Sequence, residues 1–400
     1  MPGFEVIGEE EKAEILEVLS RKVLFRYEFN EQRKGIYKVK TFENEFARYC
    51  GAAHALAVSS GTAALRVALA ALGVGPGDEV ITQGFTFVAT WETILDSGAV
   101  PVFAEIDDTL CMDPKDLAAR ITPRTRAILP VHMCGAQARI REIVEVADRH
   151  KIPVLEDTAQ SCGGRLDGKA LGTFGKAGAF SFDSVKTLTT GEGGIILTGD
   201  EKFYIRASEY HDHGHVHDPN LTRGMEKRNF IGLNYRMMEL QGALGLAQLR
   251  KLDGVILAGQ RKNKARIKET LSRIDQVTFR NILDPEGDTA TFVIFLLPTA
   301  EKARTFHKVM AAEGCGTVYW YDNYWHYYEE WEHLLEGKSL LPGGYPFRTS
   351  EGEPRCRFPK DALPKTKAWL SRTLTIPINI HMEEQIPRIV KAIEKAGKAV

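Results

Sequence analysis

From Glu79 to about Gly199 short apolar runs alternate with segments of helical periodicity. The runs Glu79–Thr82, Val100–Ala104, Ala127–Val131, Val154–Glu156, Gly178–Phe182 and Gly194–Thr198 predict strands. Arg139–His150 carries Ile140, Ile143, Val144 and Ala147 on one helical face, and Ala63–Leu72 reads as a helix closed by Gly73. Strands alternating with helices predict an α/β fold whose sheet is mostly parallel and covered on both faces. The histidine-rich stretch His211–Arg228 breaks this rhythm and predicts a loop. Met237–Leu252 predicts a long amphipathic helix. Beyond Lys264 the pattern becomes helix, a strand at Thr291–Leu297, a helix at Ala303–Glu313, and an aromatic run. A smaller second α/β unit is expected there, with Gly337–Arg357 irregular.

Composition narrows the functional classes. The 400 residues are 44% hydrophobic and 26% charged, enough for a large core and two domains. A net charge of −1 offers no basic platform for nucleic acid. No apolar run approaches the roughly 20 residues of a membrane span, and the acidic start of the chain lacks a secretory pattern. Six scattered cysteines without paired spacing predict reduced thiols and a cytoplasmic protein.

One run of the chain carries chemistry. Ala179–Phe182 predicts a strand that delivers Ser181, followed by Lys186, a Thr190–Gly194 turn, and a second strand. A serine hydroxyl there can reach a cofactor phosphate and the lysine amine its aldehyde, which suits pyridoxal phosphate. Ser60-Gly61-Thr62-Ala63 opens a helix, where free N–H groups attract an anion, or where a serine simply caps the first turn. Asp157 and Gln160 follow the strand at Val154, at the crevice end of a parallel sheet. Asp157 is suited to a pyridine nitrogen and Gln160 to a ring hydroxyl; a helix cap is the other reading of Asp157. Gly84–Thr90 places Phe87 just after a strand, for ring stacking or for the core.

Four alternating histidines, His211, His213, His215 and His217, lie in a segment with Gly214 and Pro219. An irregular substrate-covering loop is expected, with no metal. Arg223, Lys227 and Arg228 of that loop are either solvated charges or carboxylate ligands. The run Tyr319–Tyr328 either lines a sugar pocket or packs a domain interface, and Arg26 or Tyr27 is a further substrate candidate.

Together the motifs Ser60–Leu65, Phe85–Thr90, Glu156–Gln160, Ser181–Lys186 with Thr190–Gly194, and Gly232–Met237 resemble the DegT/StrS-type sugar aminotransferases over nearly the whole chain. The resemblance implies fold type I of the pyridoxal 5′-phosphate transferases: a mostly parallel seven-stranded sheet with flanking helices in a large cofactor-binding domain, residues 1–250 with the N-terminal segment, and a smaller C-terminal α/β domain, residues 251–400. It implies Lys186 as the cofactor-bearing lysine and proton shuttle, with Asp157 at the ring nitrogen and Gln160 at the ring hydroxyl. Phe87 stacks on the ring, and Gly61, Thr62, Ala63 and Ser181 hold the phosphate. Asn234 is similar to the family asparagine that reaches a neighbour's phosphate, which implies a homodimer with shared active sites. Thr187 stands where many relatives carry asparagine. A dehydratase branch has histidine at the lysine position, and Lys186 argues against it.

Further segments (the opening five residues, Phe25-Arg26-Tyr27, Glu105–Cys111, Val131–Gly135, Asp212–His215 and Tyr319-Trp320-Tyr321) are similar to a subgroup that aminates C8 of an oxidised eight-carbon sugar acid with glutamate as donor. That implies small-molecule partners, a sugar acid and glutamate, and substrate contacts from Arg26, Tyr27, His215, Arg223, Arg228 and Tyr321. The rivals are a nucleotide-sugar 3- or 4-aminotransferase and a non-catalytic cofactor-binding regulator.

Overall fold

The computed structural model describes residues 3–349 and 351–400; Met1, Pro2 and Ser350 lie outside the described residues. The first strands are β1 (His54–Val58), β2 (Glu79–Gln83), β3 (Val100–Ala104), β4 (Thr125–Ile128) and β5 (Leu155–Asp157). A two-residue pair, β6 (Arg165–Leu166) and β7 (Lys169–Ala170), precedes β8 (Ala177–Ser181) and β9 (Gly194–Thr198). They form a four-stranded sheet in the order β1-β9-β8-β5 and a three-stranded sheet in the order β3-β2-β4. Within these two sheets pairing is parallel except at β9, which runs antiparallel to β1 and β8, and β6 pairs antiparallel with β7 outside them. Isolated parallel bridges Ile128–Val154 and Val131–Asp157 lie between the two sheets. Strands β2, β5, β8 and β9 are buried along their whole length, and β8 and β9 accordingly read as largely apolar runs.

The predicted strand at 127–131 begins earlier and stops at Ile128. Pro130 has no N–H to continue the ladder, although its carbonyl still accepts from Asp157 N. The helix expected at Met237 starts at Glu239, where the Gln241 side chain accepts from Met238 N, and runs to Lys251. A π-helical turn, Leu252–Leu257, then leads directly into the helix Ala258–Leu271. The expected boundary at residue 250 falls just before this turn.

A separate C-terminal sheet follows: β10 (Thr278–Phe279), β11 (Phe292–Leu296), β12 (Val318–Tyr319) and β13 (Thr373–Pro377), antiparallel in the order β10-β11-β13-β12. Helices Ala258–Leu271, Ala300–Ala312 and Ile386–Gly397 cover it through Ile267, Phe306 and Ile393, which pack on Val293 and Phe295. Residues 211–228 form the expected loop.

The alternation of β5 separates two carboxylates. Glu156 points to one face, where Oε1 accepts from Phe174 N and Gly175 N, both at 2.7 Å. Its Oε2 accepts from Gly172 N at 2.9 Å and from His132 Nε2 at 2.9 Å. His132 Nδ1 accepts from Ala138 N at 3.1 Å, so the ring proton sits on Nε2 and is donated to Glu156. Glu156 therefore organises the chain entering β8 and leaves Asp157 alone on the opposite face. Glu156→Ala strands three backbone N–H groups and the His132 Nε2–H, and a loss on the order of 3 kcal/mol in urea unfolding is expected; a loss below about 1 kcal/mol would remove Glu156 from this role.

Candidate active site

Three elements converge on one cavity. The helix Gly61–Ala71 begins with Ser60 as cap, its Oγ accepting from Ala63 N at 3.0 Å. The N–H groups of Gly61 and Thr62 have no acceptor within the helix. This helix end lies directly on the β8–β9 hairpin. A Cβ on Gly61 would sit 2.6 Å from Ser181 Cβ, and one on Gly194 would sit 2.3 Å from Ser60 O. Glycine at both positions brings the helix N-terminus and the Ser181 hydroxyl side by side.

From β5 comes Asp157, only 4% exposed. Its Oδ2 accepts from Thr90 Oγ1 at 2.8 Å and its Oδ1 from Ala159 N at 3.1 Å. Burial raises the carboxyl pKa above its usual value, and these two donors and the Lys186 charge only partly oppose the rise. Gln160 Oε1 accepts from Cys134 N at 3.1 Å, so the amide nitrogen is the group left for a ligand.

The turn after β8 carries Lys186 to the cavity wall, where burial lowers its amine pKa from the usual 10.5 against the pull of Asp183 and Asp157. Its Nζ lies 5.9 Å from the centre of the Phe87 ring. Gly61, Thr62, Phe87, Asp157, Gln160, Ser181 and Lys186 all line this cavity of about 260 Å³. Seven of the expected positions thus meet at one place. Ala63 stands one residue deeper in the helix and is buried.

The far wall comes from Phe292 of β11 and from Trp320 and His326 in the segment that follows β12. The aromatic run reaches it because Thr86 N donates to His326 O and Val88 N to Trp325 O, both at 3.0 Å. Sequence reading singled out Tyr321 in that run. Tyr321 instead packs between Tyr319 and Tyr327, with ring centroids 5.9 and 5.4 Å away, and does not reach the cavity. Alternation along β12 and the turn after it assigns the inward position to Trp320. Thr90 was also missed, although it lies four residues beyond Thr86 on the helical turn that faces Asp157.

The other substrate candidates lie elsewhere in the protomer. Arg26 is buried, donating to Ala57 O and to Glu43 Oε1 at 2.7 Å each, so it braces β1 and is not free to hold a ligand. Arg223 forks onto Asp212, which also binds Arg236. Burial alone would raise the Asp212 pKa, but the two guanidinium groups hold it well below the carboxylate range. Arg228 donates to His215 Nε2 at 3.0 Å, and His215 Nδ1 donates to Glu226 at 2.8 Å. Tyr27 bonds His211 Nε2 at 3.1 Å and packs against His217 in a tilted arrangement with ring centroids 4.6 Å apart. These partners consume the groups expected to meet the sugar. The histidines take separate partners, and among the described residues no group of three or more His, Cys, Asp or Glu is gathered for a metal. Asn234 is exposed, paired through its backbone with Asp212, away from the Lys186 cavity of its own chain.

The profile of the DegT/DnrJ/EryC1/StrS aminotransferase family matches residues 6–342. The chain belongs to this family. GDP-perosamine synthase of Caulobacter vibrioides is 42% identical over 221 residues, covering 55% of this chain and 58% of that protein. L-glutamine:2-deoxy-scyllo-inosose aminotransferase of Streptomyces kanamyceticus is 40% identical over 271 residues, 66% of this chain and 62% of the relative. The chain spans about three fifths of the length of the curated relatives it matches. The crystal structure of DesV from S. venezuelae, in complex with a ketimine intermediate, superposes with a TM-score of 0.80 at 28% identity, over 98% of this chain and 95% of that one. DegT-family aminotransferases work with pyridoxal 5′-phosphate. No helix among the described residues is long and apolar enough to cross a membrane.

The raised carboxyl pKa makes a signed prediction for the cofactor-free protein. A carboxyl whose folded pKa is raised binds its proton more tightly when folded, so stability falls as pH rises through that window. Asp157→Asn removes this cost. The stability of the variant relative to wild type should therefore grow from pH 4 to pH 7, as read by urea midpoints of the apoproteins. A constant difference across that range would show that Asp157 carries no desolvation penalty.

Proposed function

We propose that the protein is a pyridoxal 5′-phosphate-dependent aminotransferase that moves an amino group from glutamate to C8 of 8-oxo-3-deoxy-manno-octulosonate, giving 8-amino-3,8-dideoxy-manno-octulosonate for lipopolysaccharide. The observation that carries the aminotransferase reading is the meeting of Lys186, Asp157 and an unfilled helix N-terminus at one cavity. The residues present fit the cofactor. Gly61, Thr62, Ala63 and Ser181 would hold the phosphate, since Gly61 leaves space that a Cβ would fill. Asp157 would keep a proton on the ring nitrogen, Phe87 would pack on the ring face, and the Gln160 amide would donate to the ring oxygen. When bound, the cofactor supplies an electron sink for the bonds at Cα of the amino donor.

Lys186 does the proton work. Its depressed pKa increases the neutral fraction, so Nζ accepts the Cα proton of glutamate and returns a proton on the sugar side. Asp157 is held beside it by Thr90 and Ala159, and the desolvated wall of Phe87, Phe292 and Trp320 limits water around the reacting carbon. Asn234 of a second copy would complete the phosphate site in a homodimer. Ile231 is 88% exposed beside exposed Phe230 and Leu233, an apolar surface suited to such a contact. The bridges between β4 and β5 support reading the two sheets as one seven-stranded core in a domain of residues 1–250, with 251–400 as the second domain.

The octulosonate assignment rests on the segments named in the sequence, and a nucleotide-sugar 3- or 4-aminotransferase is the second reading, favoured by the similarity to GDP-perosamine synthase. Borohydride reduction of the loaded protein should fix a pyridoxyl group on Lys186, found by peptide mapping; label on another lysine would end the assignment. Mass spectrometry with glutamate should find amination of the octulosonate aldehyde. Preferred amination of a nucleotide-linked keto sugar would replace the substrate while leaving the aminotransferase in place.

A further inference from the structure

One polar group in the cavity has no part in the proton transfers. His326 lies on the wall opposite Asp157, between Phe87 and Trp320, with ring centroids at 5.5 and 4.8 Å. Its Nδ1 meets Asn323 Oδ1 at 2.9 Å. A side-chain amide oxygen only accepts, so the ring proton sits on Nδ1 and Nε2 carries a bare lone pair. Among the described residues no group donates to Nε2, yet it is not a sealed, unpaired atom of the core. The imidazole half-faces the cavity. Burial and the nearby Lys186 charge push its pKa down to about 3, so the lone pair persists at neutral pH.

We propose that His326 is a specificity-determining acceptor for a hydroxyl group of the sugar substrate, in a subsite walled by Trp320 and Phe87. The proposal rests on the sugar-aminotransferase reading of the cavity and goes further, because it assigns the polarity of one contact. A neutral imidazole nitrogen attracts an O–H or N–H donor and repels a carboxylate or phosphate oxygen. An aliphatic ligand would leave the nitrogen unpaired in an apolar wall, which is unfavourable. Trp320, on the cavity wall beside His326, offers an indole surface on which the C–H side of a sugar packs. Acceptor and ring face together describe a polyhydroxylated chain or ring, held by a hydroxyl, with its anionic group directed elsewhere. Asn323 is the positioning residue that fixes the tautomer.

Two readouts test this. The first is binding of 3-deoxy-manno-octulosonate, whose C8 hydroxyl cannot be aminated, to the loaded protein, followed by the fluorescence of the cavity tryptophan. His326→Phe keeps the ring packing and removes the acceptor; its Kd should rise about tenfold. His326→Gln, which restores an acceptor, and Asn323→Asp, which keeps the tautomer, should recover part of that loss, whereas Asn323→Ala should not. The second readout is single-turnover amination of glyceraldehyde against propanal, a pair differing in their hydroxyl groups. Wild type should prefer the hydroxylated aldehyde by at least about tenfold, and His326→Phe should bring the two close together. The sugar side should lose at least about tenfold more than the glutamate half-reaction. Unchanged Kd together with an unchanged aldehyde preference in His326→Phe overturns the proposal, as does equal loss in both half-reactions. Absence of a half-reaction with either glutamate or glutamine in wild type would instead overturn the aminotransferase reading, and the fluorescence titration would still decide the subsite.

Discussion

The site depends on one close contact, that of the helix beginning at Gly61 with the hairpin formed by β8 and β9. Gly61 lies where any side chain would strike Ser181 Cβ, at 2.6 Å, and Gly194 lies where one would strike Ser60 O, at 2.3 Å. The contact sets free N–H groups beside the serine hydroxyl and fixes the start of the turn that carries Lys186. Ser181 pairs with Gly194 across the hairpin, so both partners of the contact belong to one rigid ladder. A shift here would separate the anion-binding end of the cavity from the amine, and no other element would restore their spacing.

Around that contact the fold places charge where burial disfavours it. Asp157 and Lys186 are each moved toward their neutral forms by desolvation, the acid upward and the base downward. Such groups weaken the empty fold and gain from a cationic or electrophilic partner. Glu156 is the contrast. It is equally buried but takes four donors, and it serves structure. Adjacent carboxylates on one strand thus divide into a satisfied brace and an under-satisfied ligand, because successive side chains of a strand face opposite ways.

Much of this was legible in the sequence. Buried strands such as β8 and β9 declare themselves as apolar runs, and Gly61, Gly191, Gly193 and Gly194 mark places where the backbone turns or is approached closely. The cofactor end of the cavity is built from local motifs, each contributed by one strand and the residues just after it, so Asp157, Gln160, Ser181 and Lys186 were found. The far wall was not, because it is assembled from residues more than 100 positions beyond Lys186, and only the docking of Thr86 and Val88 onto Trp325 and His326 decides which ring faces inward. In that run Trp320 and His326 face the cavity and Tyr321 does not, and composition cannot distinguish them. The arginines failed for a related reason. Arg26 and Arg223 look like free cations until Glu43 and Asp212, 17 and 11 residues away, are brought against them.

The central claim is that the Lys186 amine moves the proton at the donor's Cα. It is tested most directly by following loss of deuterium from α-deuterated glutamate to water, with loaded protein and no sugar present. The account predicts that wild type washes the label out, that Lys186→Ala does not, and that a small added amine restores part of the exchange. Wash-out by Lys186→Ala at the wild-type rate would contradict it.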